Sequence, residues 1–176
     1  MNDRNPFIRF IANDDHYNEV LSRVAGVRQL LWIGTADIKD LYVKVGSGTT
    51  PFVGVLANLL RRGVEIRLIH AKEPGPAFRE DFDRYPILEA GLERMLCPRV
   101  HFKMLIFDFD TAYIGSANLT GAGIGMKSSA RRNFEAGILT NEPALVEAAA
   151  EQFDSVWRGA HCAGCGRRQY CTLPIK

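Results

Sequence analysis

Val100-His101-Phe102-Lys103-Met104-Leu105-Ile106-Phe107 is a strongly apolar run that ends on the acidic turn residue Asp108, and it reads as a buried strand. Period two along a strand puts His101 and Lys103 on one face, with Phe102 and Met104 on the other. Downstream, Tyr113-Ile114-Gly115-Ser116-Ala117-Asn118 reads as a second short strand in which Ser116 and Asn118 share a face. Asn133-Phe134-Glu135-Ala136-Gly137-Ile138-Leu139 reads as a third, with Asn133 beside Glu135. Three neighbouring strands thus aim His, Lys, Ser, Asn and Glu side chains at one spot. Those types suit phosphodiester cleavage without a metal. An imidazole attacks phosphorus, a lysine and a carboxamide hold the non-bridging oxygens, and a carboxylate orients the imidazole. Asp108 belongs to the same set but points away from the phosphate and braces the turn after its strand.

Written as a pattern, these residues give H-x-K-x4-D-x6-G-S-x-N from His101 to Asn118. The pattern resembles the HKD motif of the phospholipase D superfamily, and Asn133-Phe134-Glu135 resembles the downstream carboxylate segment of its nuclease members. The resemblance implies a metal-independent phosphodiesterase, an endonuclease on DNA or RNA that works through a covalent phosphohistidine. It assigns the chemistry to His101, Lys103, Ser116, Asn118, Glu135 and Asp108. It also implies two histidines, one attacking and one protonating the leaving oxygen, yet only one full motif is present. His70-Ala71-Lys72 has Ala77 where the aspartate belongs and no G-S-x-N after it, while His16 and His161 lack a lysine at the required spacing. The second histidine is therefore expected from a second copy, in a homodimer with a shared site. Phospholipase D or phosphatidyl-transfer activity is the first alternative, and a non-catalytic nucleic-acid-binding module the second.

Outside the motif the chain alternates helices and strands. Asp14 to Ala25 has Tyr17, Val20, Leu21 and Val24 on one helical face and stops at Gly26. Val27 to Ile33 reads as a strand. Thr50-Pro51 opens a helix with Phe52, Val55, Leu56, Leu59 and Leu60 as its apolar stripe, closed by Arg61-Arg62-Gly63. Val64 to Ile69 is the next strand, Pro76 to Met95 reads as helical in two pieces broken at Pro86, and Asn141-Glu142-Pro143 starts a helix to Trp157. The expected class is α/β, a mixed, mostly parallel-stranded sheet covered by helices on both faces. Gly46 to Thr50 reads as a flexible loop without the ending of a phosphate-cradling loop. Residues 1–158 form the catalytic domain in this reading, and 159–176 a cysteine-rich tail packed back on it.

Hydrophobic residues make up 47% and charged residues 24% of the 176, which is ordinary for a globular chain. No apolar run approaches the ~20 residues of a bilayer span, and Met1-Asn2-Asp3-Arg4-Asn5-Pro6 lacks the features of a secretory signal. The expectation is a cytoplasmic protein with no membrane partner and a nucleic-acid substrate, any larger defence or repair complex being left open. The net charge of +2 is uninformative. Its makeup says more: arginine far outnumbers lysine, Arg131 and Arg132 sit just before Glu135, and Arg158, Arg167 and Arg168 cluster near the end. Arginine forks bind phosphate bidentately, which makes Arg131 and Arg132 candidate substrate-binding residues.

Cys162-Ala163-Gly164-Cys165 continues to Cys171, and the remaining cysteine, Cys97, stands four residues before His101. Without a signal peptide, disulfides are disfavoured, and four thiolates on one ion or cluster is the better account. A distant upstream cysteine with a terminal C-x2-C-x5-C resembles the cluster-binding pattern of certain DNA-repair glycosylases and recombination nucleases. That favours a structural [4Fe-4S] cluster held by Cys97, Cys162, Cys165 and Cys171, with structural zinc as the alternative because both accept four cysteines.

Overall fold

The Lys103–Phe107 segment becomes the middle strand of the molecule, since its alternate side chains feed two different cores. The computed structural model describes residues 5–39 and 41–172. Within these, nine strands run in chain order as β1 (Ile8–Ala12), β2 (Leu30–Thr35), β3 (Tyr42–Val45), β4 (Gly48–Pro51), β5 (Glu65–His70), β6 (Leu92–Leu96), β7 (Lys103–Phe107), β8 (Thr111–Gly115) and β9 (Ala136–Thr140). The helices are α1 (Phe52–Arg61), α2 (Pro76–Asp83), α3 (Pro86–Gly91) and α4 (Pro143–Trp157). Seven strands form one sheet in the order β1-β9-β8-β7-β2-β5-β6, and β3 and β4 form a separate hairpin.

The sheet is mixed and helix-covered, as expected, but its strands are mostly antiparallel. Only β2-β5 and β5-β6 pair in parallel; the four pairings from β1 through β2 are antiparallel. Connection length explains the correction. Helices α1, α2 and α3 supply the long crossovers that parallel neighbours need. β7 and β8 are instead joined by a tight turn in which Asp108 (φ 54°) and Phe109 (φ 50°) are both left-handed and the Asp110 N–H donates to the Phe107 carbonyl (2.9 Å). Two such residues in a row give the turn whose twist matches an antiparallel hairpin.

Leu105 and Phe107 of β7 face α1 together with Leu31 and Ile33 of β2 and Leu56 and Leu59 of the helix, all buried. Met104 and Ile106 face α4, where Trp32, Ala149 and Phe153 complete a second core and the Trp32 and Phe153 rings stack at 4.9 Å. Burying each large side chain contributes roughly 1.5–3 kcal/mol, so β7 is pinned from both sides.

Helices α1 and α4 form where their apolar stripes place them. The segment from Asp14 winds instead as a π turn over His16–Val20 and a 3-10 helix over Leu21–Gly26, still burying Val20, Leu21 and Val24. Leu92 to Met95, expected as helix, is the edge strand β6, because its backbone pairs with β5 from Ile66↔Leu92 to His70↔Leu96 and tertiary pairing overrides a short helical pattern. The Gly46–Thr50 loop is the turn and returning strand of the β3–β4 hairpin, with Gly46 at φ 58°. β1 had no counterpart in the sequence reading. The cysteine-rich segment leaves α4 through Gly159 and holds one further turn, Arg168–Tyr170; residues 173–176 lie outside the described range. Among the described residues, no helix is long and apolar enough to cross a membrane.

Candidate active site

β7 begins where β8 ends, where β9 begins and where β2, β5 and β6 all end. The candidate residues sit at that one end of the sheet, on or just beyond the strand tips rather than inside the strands. His101 is exposed two residues before β7, and Lys103 is the first residue of that strand, 7% exposed. The Lys103 Nζ donates to the His101 carbonyl (2.7 Å) and lies 3.3 and 3.4 Å from the two imidazole nitrogens. Burial pulls the Lys103 ammonium below the ordinary lysine range, while the negative charge of Glu135 works the other way. A cation so placed is short of hydration and available to an incoming anion.

Ser116 and Glu135 meet directly. The Ser116 hydroxyl donates to Glu135 Oε2 and accepts from the Ala136 N–H (3.0 Å), and Asn133 Nδ2 donates to Glu135 Oε1 (3.1 Å). Both carboxylate oxygens are thereby oriented. Asn118 is held by its oxygen: Oδ1 accepts from the Asp37 N–H (3.1 Å) and stands 3.4 Å from the Thr35 hydroxyl. The amide nitrogen, the donor, is the end this arrangement turns over to a ligand. Thr35 itself is fully buried, donating to the Asp37 carbonyl (2.7 Å) and accepting from the Leu119 N–H (3.2 Å). Sequence reasoning missed Thr35 and Asp37, since a threonine ending an apolar strand carries no chemical signal.

Under these residues lies Tyr113. Lys103, Gly115 and Gly137 are cross-strand neighbours, and the tyrosine ring occupies the space that two β-carbons would take. A Cβ on Gly115 would stand 2.3 Å from Tyr113 Oη and 2.8 Å from the Ala136 carbonyl oxygen, and one on Gly137 2.7 Å from Tyr113 Cε2. The Ala117 N–H donates to the phenol oxygen (3.4 Å), while burial raises the phenol well above its ordinary range. The glycine of G-S-x-N is thus a packing requirement. His16 lies edge-on to the Tyr113 ring at 5.4 Å with Nδ1 against the Asn13 carbonyl (3.1 Å), and burial lowers its pKa.

Asp108 is at the far end of β7. Its Oδ1 accepts from the Gln29 (2.8 Å) and Leu30 (3.0 Å) N–H groups and its Oδ2 from Arg28 (3.1 Å), tying the β7–β8 turn to the start of β2. It takes no part in the cluster around His101. Arg132 is turned inward, where it donates to the Gly125 and Asn13 carbonyls and pairs with Asp14 (3.1 Å). That guanidinium holds a loop together instead of facing the open site, with a protein oxygen beside each of its three nitrogens. Arg131 is exposed in the turn Ser129–Arg131. The other histidines are engaged elsewhere, His70 buried with Nδ1 2.7 Å from the Lys72 carbonyl and His161 with Nε2 3.3 Å from the Ser155 hydroxyl.

The four cysteines come to the same end of the sheet, beside β6. Cys97, Cys162 and Cys165 line one cavity of about 310 Å³, and the Cys171 thiol lies 3.8 Å from the Leu96 carbonyl. The Arg167 N–H, then the Arg99 guanidinium, hold the Cys165 thiol below its ordinary range. Among the described residues, no three His, Cys, Asp or Glu side chains stand close enough together to hold an ion.

Fold and site together define a phospholipase D-like domain. The family model described as "Cardiolipin synthase, PLD-like domain" matches residues 34–157, and the chain belongs to that family. In three dimensions it is similar to Nuc, a phospholipase D family member from Salmonella typhimurium, with a TM-score of 0.63 at 19% identity over 87% of this chain and 95% of that one. It is similarly close to NucT from Helicobacter pylori, with a TM-score of 0.63 at 14% identity over 86% and 95%. TrmBL2, an archaeal chromatin protein described as showing a novel mode of DNA binding, matches with a TM-score of 0.58 at 15% identity over 89% of this chain and 55% of that one. In sequence alone, no curated relative matches.

Proposed function

We propose that this chain is a metal-independent phosphodiesterase acting on nucleic acid, with His101 as nucleophile. The observation that carries the reading is the convergence of His101, Lys103, Asn118 and the Ser116–Glu135 pair at one end of the sheet. The imidazole of His101 attacks phosphorus and the bond to the leaving oxygen breaks as a phosphohistidine forms. Lys103 Nζ and Asn118 Nδ2 hold the non-bridging oxygens as charge builds on them. His101 of the partner subunit protonates the leaving oxygen, then draws a proton from the water that releases the enzyme. Ser116 and Asn133 keep Glu135 aimed so that its carboxylate orients the facing imidazole.

An apolar row that becomes uncovered toward the β1 edge supports the dimer. Met104, Ile114, Ile138 and Phe10 are cross-strand neighbours on the α4 face, and exposure rises along the row from 4% at Met104 to 70% at Phe10. Phe134, next to Glu135, is 96% exposed. Contiguous apolar surface beside a half-complete site suits a second copy related by a two-fold axis. The DNA binding of TrmBL2 supports a nucleic-acid substrate. The family description favours phosphatidyl transfer as a second reading.

The test is labelled single- and double-stranded DNA and RNA, and phosphatidylglycerol vesicles, incubated with purified protein in EDTA. Cleavage of nucleic acid is expected to persist, and His101→Ala to remove it by at least ~10³-fold. Strict magnesium dependence, or His101→Ala activity within a few-fold of wild type, refutes the mechanism. Turnover of lipid alone establishes the second reading, and a stable, active monomer in sedimentation refutes the shared site.

In the same proposal the four thiols hold a structural [4Fe-4S] cluster, or zinc, that pins the tail beside β6. The donor chemistry fits, with four cysteines from two distant segments of which three line one cavity, and binding requires the tail to draw their thiols closer together. Anaerobic protein is expected to be brown with about four irons per chain. A colourless protein with one zinc points to the alternative, and a metal-free protein refutes both.

A further inference from the structure

The tail makes a second contact next to the site. Arg167 Nη1 donates to the Pro98 carbonyl (3.2 Å), and Arg99 Nη1 reaches the His161 carbonyl (3.5 Å). These bonds bring two arginines from distant segments to the same wall. Pro98, Arg99, Val100, His101 and Arg167 line one cavity of about 350 Å³, at the small end of the ~300–1,000 Å³ typical of ligand clefts. Both arginines are exposed. Among the described residues, neither guanidinium meets a carboxylate. Each carbonyl takes one of a fork's five donors and the Cys165 thiol takes a further one of Arg99, which leaves donors on both forks for a planar or tetrahedral anion. Arg132, by contrast, has a protein oxygen beside each of its three nitrogens.

We propose that Arg99 and Arg167 form a binding site for the phosphate next to the scissile one, so that the cysteine-rich tail selects a polyanionic strand over an isolated diester. The proposal rests on the diesterase reading, since His101 is both the nucleophile there and a wall of this cavity. It also gives the tail a task in substrate selection, because Cys165 and Cys171 flank the stretch that carries Arg167. A tail displaced from β6 would remove one arginine and loosen the other.

Two probes separate the proposal from the reading beneath it: bis(p-nitrophenyl) phosphate, which has one phosphate, and a short fluorescein-labelled DNA oligonucleotide. Arg99→Gln and Arg167→Gln are each expected to weaken oligonucleotide binding ~10-fold at low salt and to reduce the salt slope by about one. Hydrolysis of bis(p-nitrophenyl) phosphate should stay within roughly two-fold of wild type, because the lost contact is to the remote phosphate. Arg167→Lys keeps the cation, so it should bind better than Arg167→Gln, and it replaces the glutamine variant as the test if that one melts early. Unchanged affinity and salt slope in both variants overturns the proposal, as does an equal loss on both probes at unchanged melting temperature. Reduced turnover on phosphatidylglycerol vesicles with normal oligonucleotide binding assigns the pocket to a lipid headgroup and also overturns it. A wild-type protein inert toward bis(p-nitrophenyl) phosphate refutes the diesterase reading, while anisotropy with the oligonucleotide still decides the phosphate site.

Discussion

Replacing Asp108 separates the structural from the chemical part of the motif. The aspartate accepts three backbone N–H bonds from residues 28 to 30 and itself sits at φ 54°. In Asp108→Ala the Arg28 and Gln29 groups turn to water, while the half-buried Leu30 N–H has no such recourse and costs about 1–3 kcal/mol. An alanine in the left-handed region adds about 1–2 kcal/mol. The total is about 2–5 kcal/mol, which for a chain of this size lowers the melting temperature by roughly 4–20 °C. Asp108→Asn keeps one oxygen acceptor and a residue type tolerant of that φ, so about 1–2 kcal/mol is expected. Neither change reaches the chemistry, since the five residues of β7 set Asp108 about 17 Å from the His101 end. Calorimetry reads the first effect, and diester hydrolysis well below each variant's melting point reads the second. An Asp108→Asn protein that melts like wild type yet loses a hundredfold in turnover would refute the reasoning, because the carboxylate would then act on the reaction.

Gly115→Ala is expected to cost about 1–3 kcal/mol or more, because Tyr113 and the Ala136 carbonyl leave no room for a methyl group; an unchanged melting temperature contradicts the packing argument. Thr35→Val keeps the shape but strips the Leu119 N–H of its acceptor and the Asp37 carbonyl of its donor, loosening the residue whose N–H orients the Asn118 amide, so stability should fall by about 1–3 kcal/mol. Its kcat should fall with KM little changed, and kcat at the wild-type level removes Thr35 from the positioning of Asn118. Burial lowers the pKa of both His16 and His70 from the ordinary 6.5. Below that value the unfolded chain takes up protons that the folded one refuses, so stability declines as pH falls through the window beneath 6.5. The limit is about 1.4 kcal/mol per pH unit per histidine. Thermal melts from pH 7 to 5 should show the decline and His16→Gln should flatten it; a wild-type melting temperature level over that range refutes the assignment.

The candidate set was legible because chemistry restricts residue type and spacing together: His101, Lys103, Ser116, Asn118 and Glu135 all reach one end of the sheet. Their setting was less legible. Period two places His101 on a strand, yet pairing starts only at Lys103, and apart from that lysine the candidate residues sit on loops just past the strand tips. Parallel order was overestimated, since alternation of helices and strands hides the β7–β8 hairpin, whose turn rests on Asp108 and Phe109 without the glycine that usually announces it. β6 escaped notice because an exposed edge strand of five residues carries little hydrophobic periodicity. Arg132 shows the limit of reading charge from sequence. Only the fold decides whether a guanidinium meets solvent or the carbonyls of its own loop.

In the proposed shared-site dimer, the apolar row that opens from Met104 toward Phe10 ties activity to abundance. A reaction centre divided between two copies is silent in a chain too dilute to pair, and specific activity then rises with protein concentration until association is complete. The half-buried isoleucines and the exposed phenylalanine of that row would make the lone copy the less stable form, and so the one first removed by proteolysis. A cell holding few copies would carry an idle hydrolase, and crossing the association threshold would switch on cutting without any separate regulator.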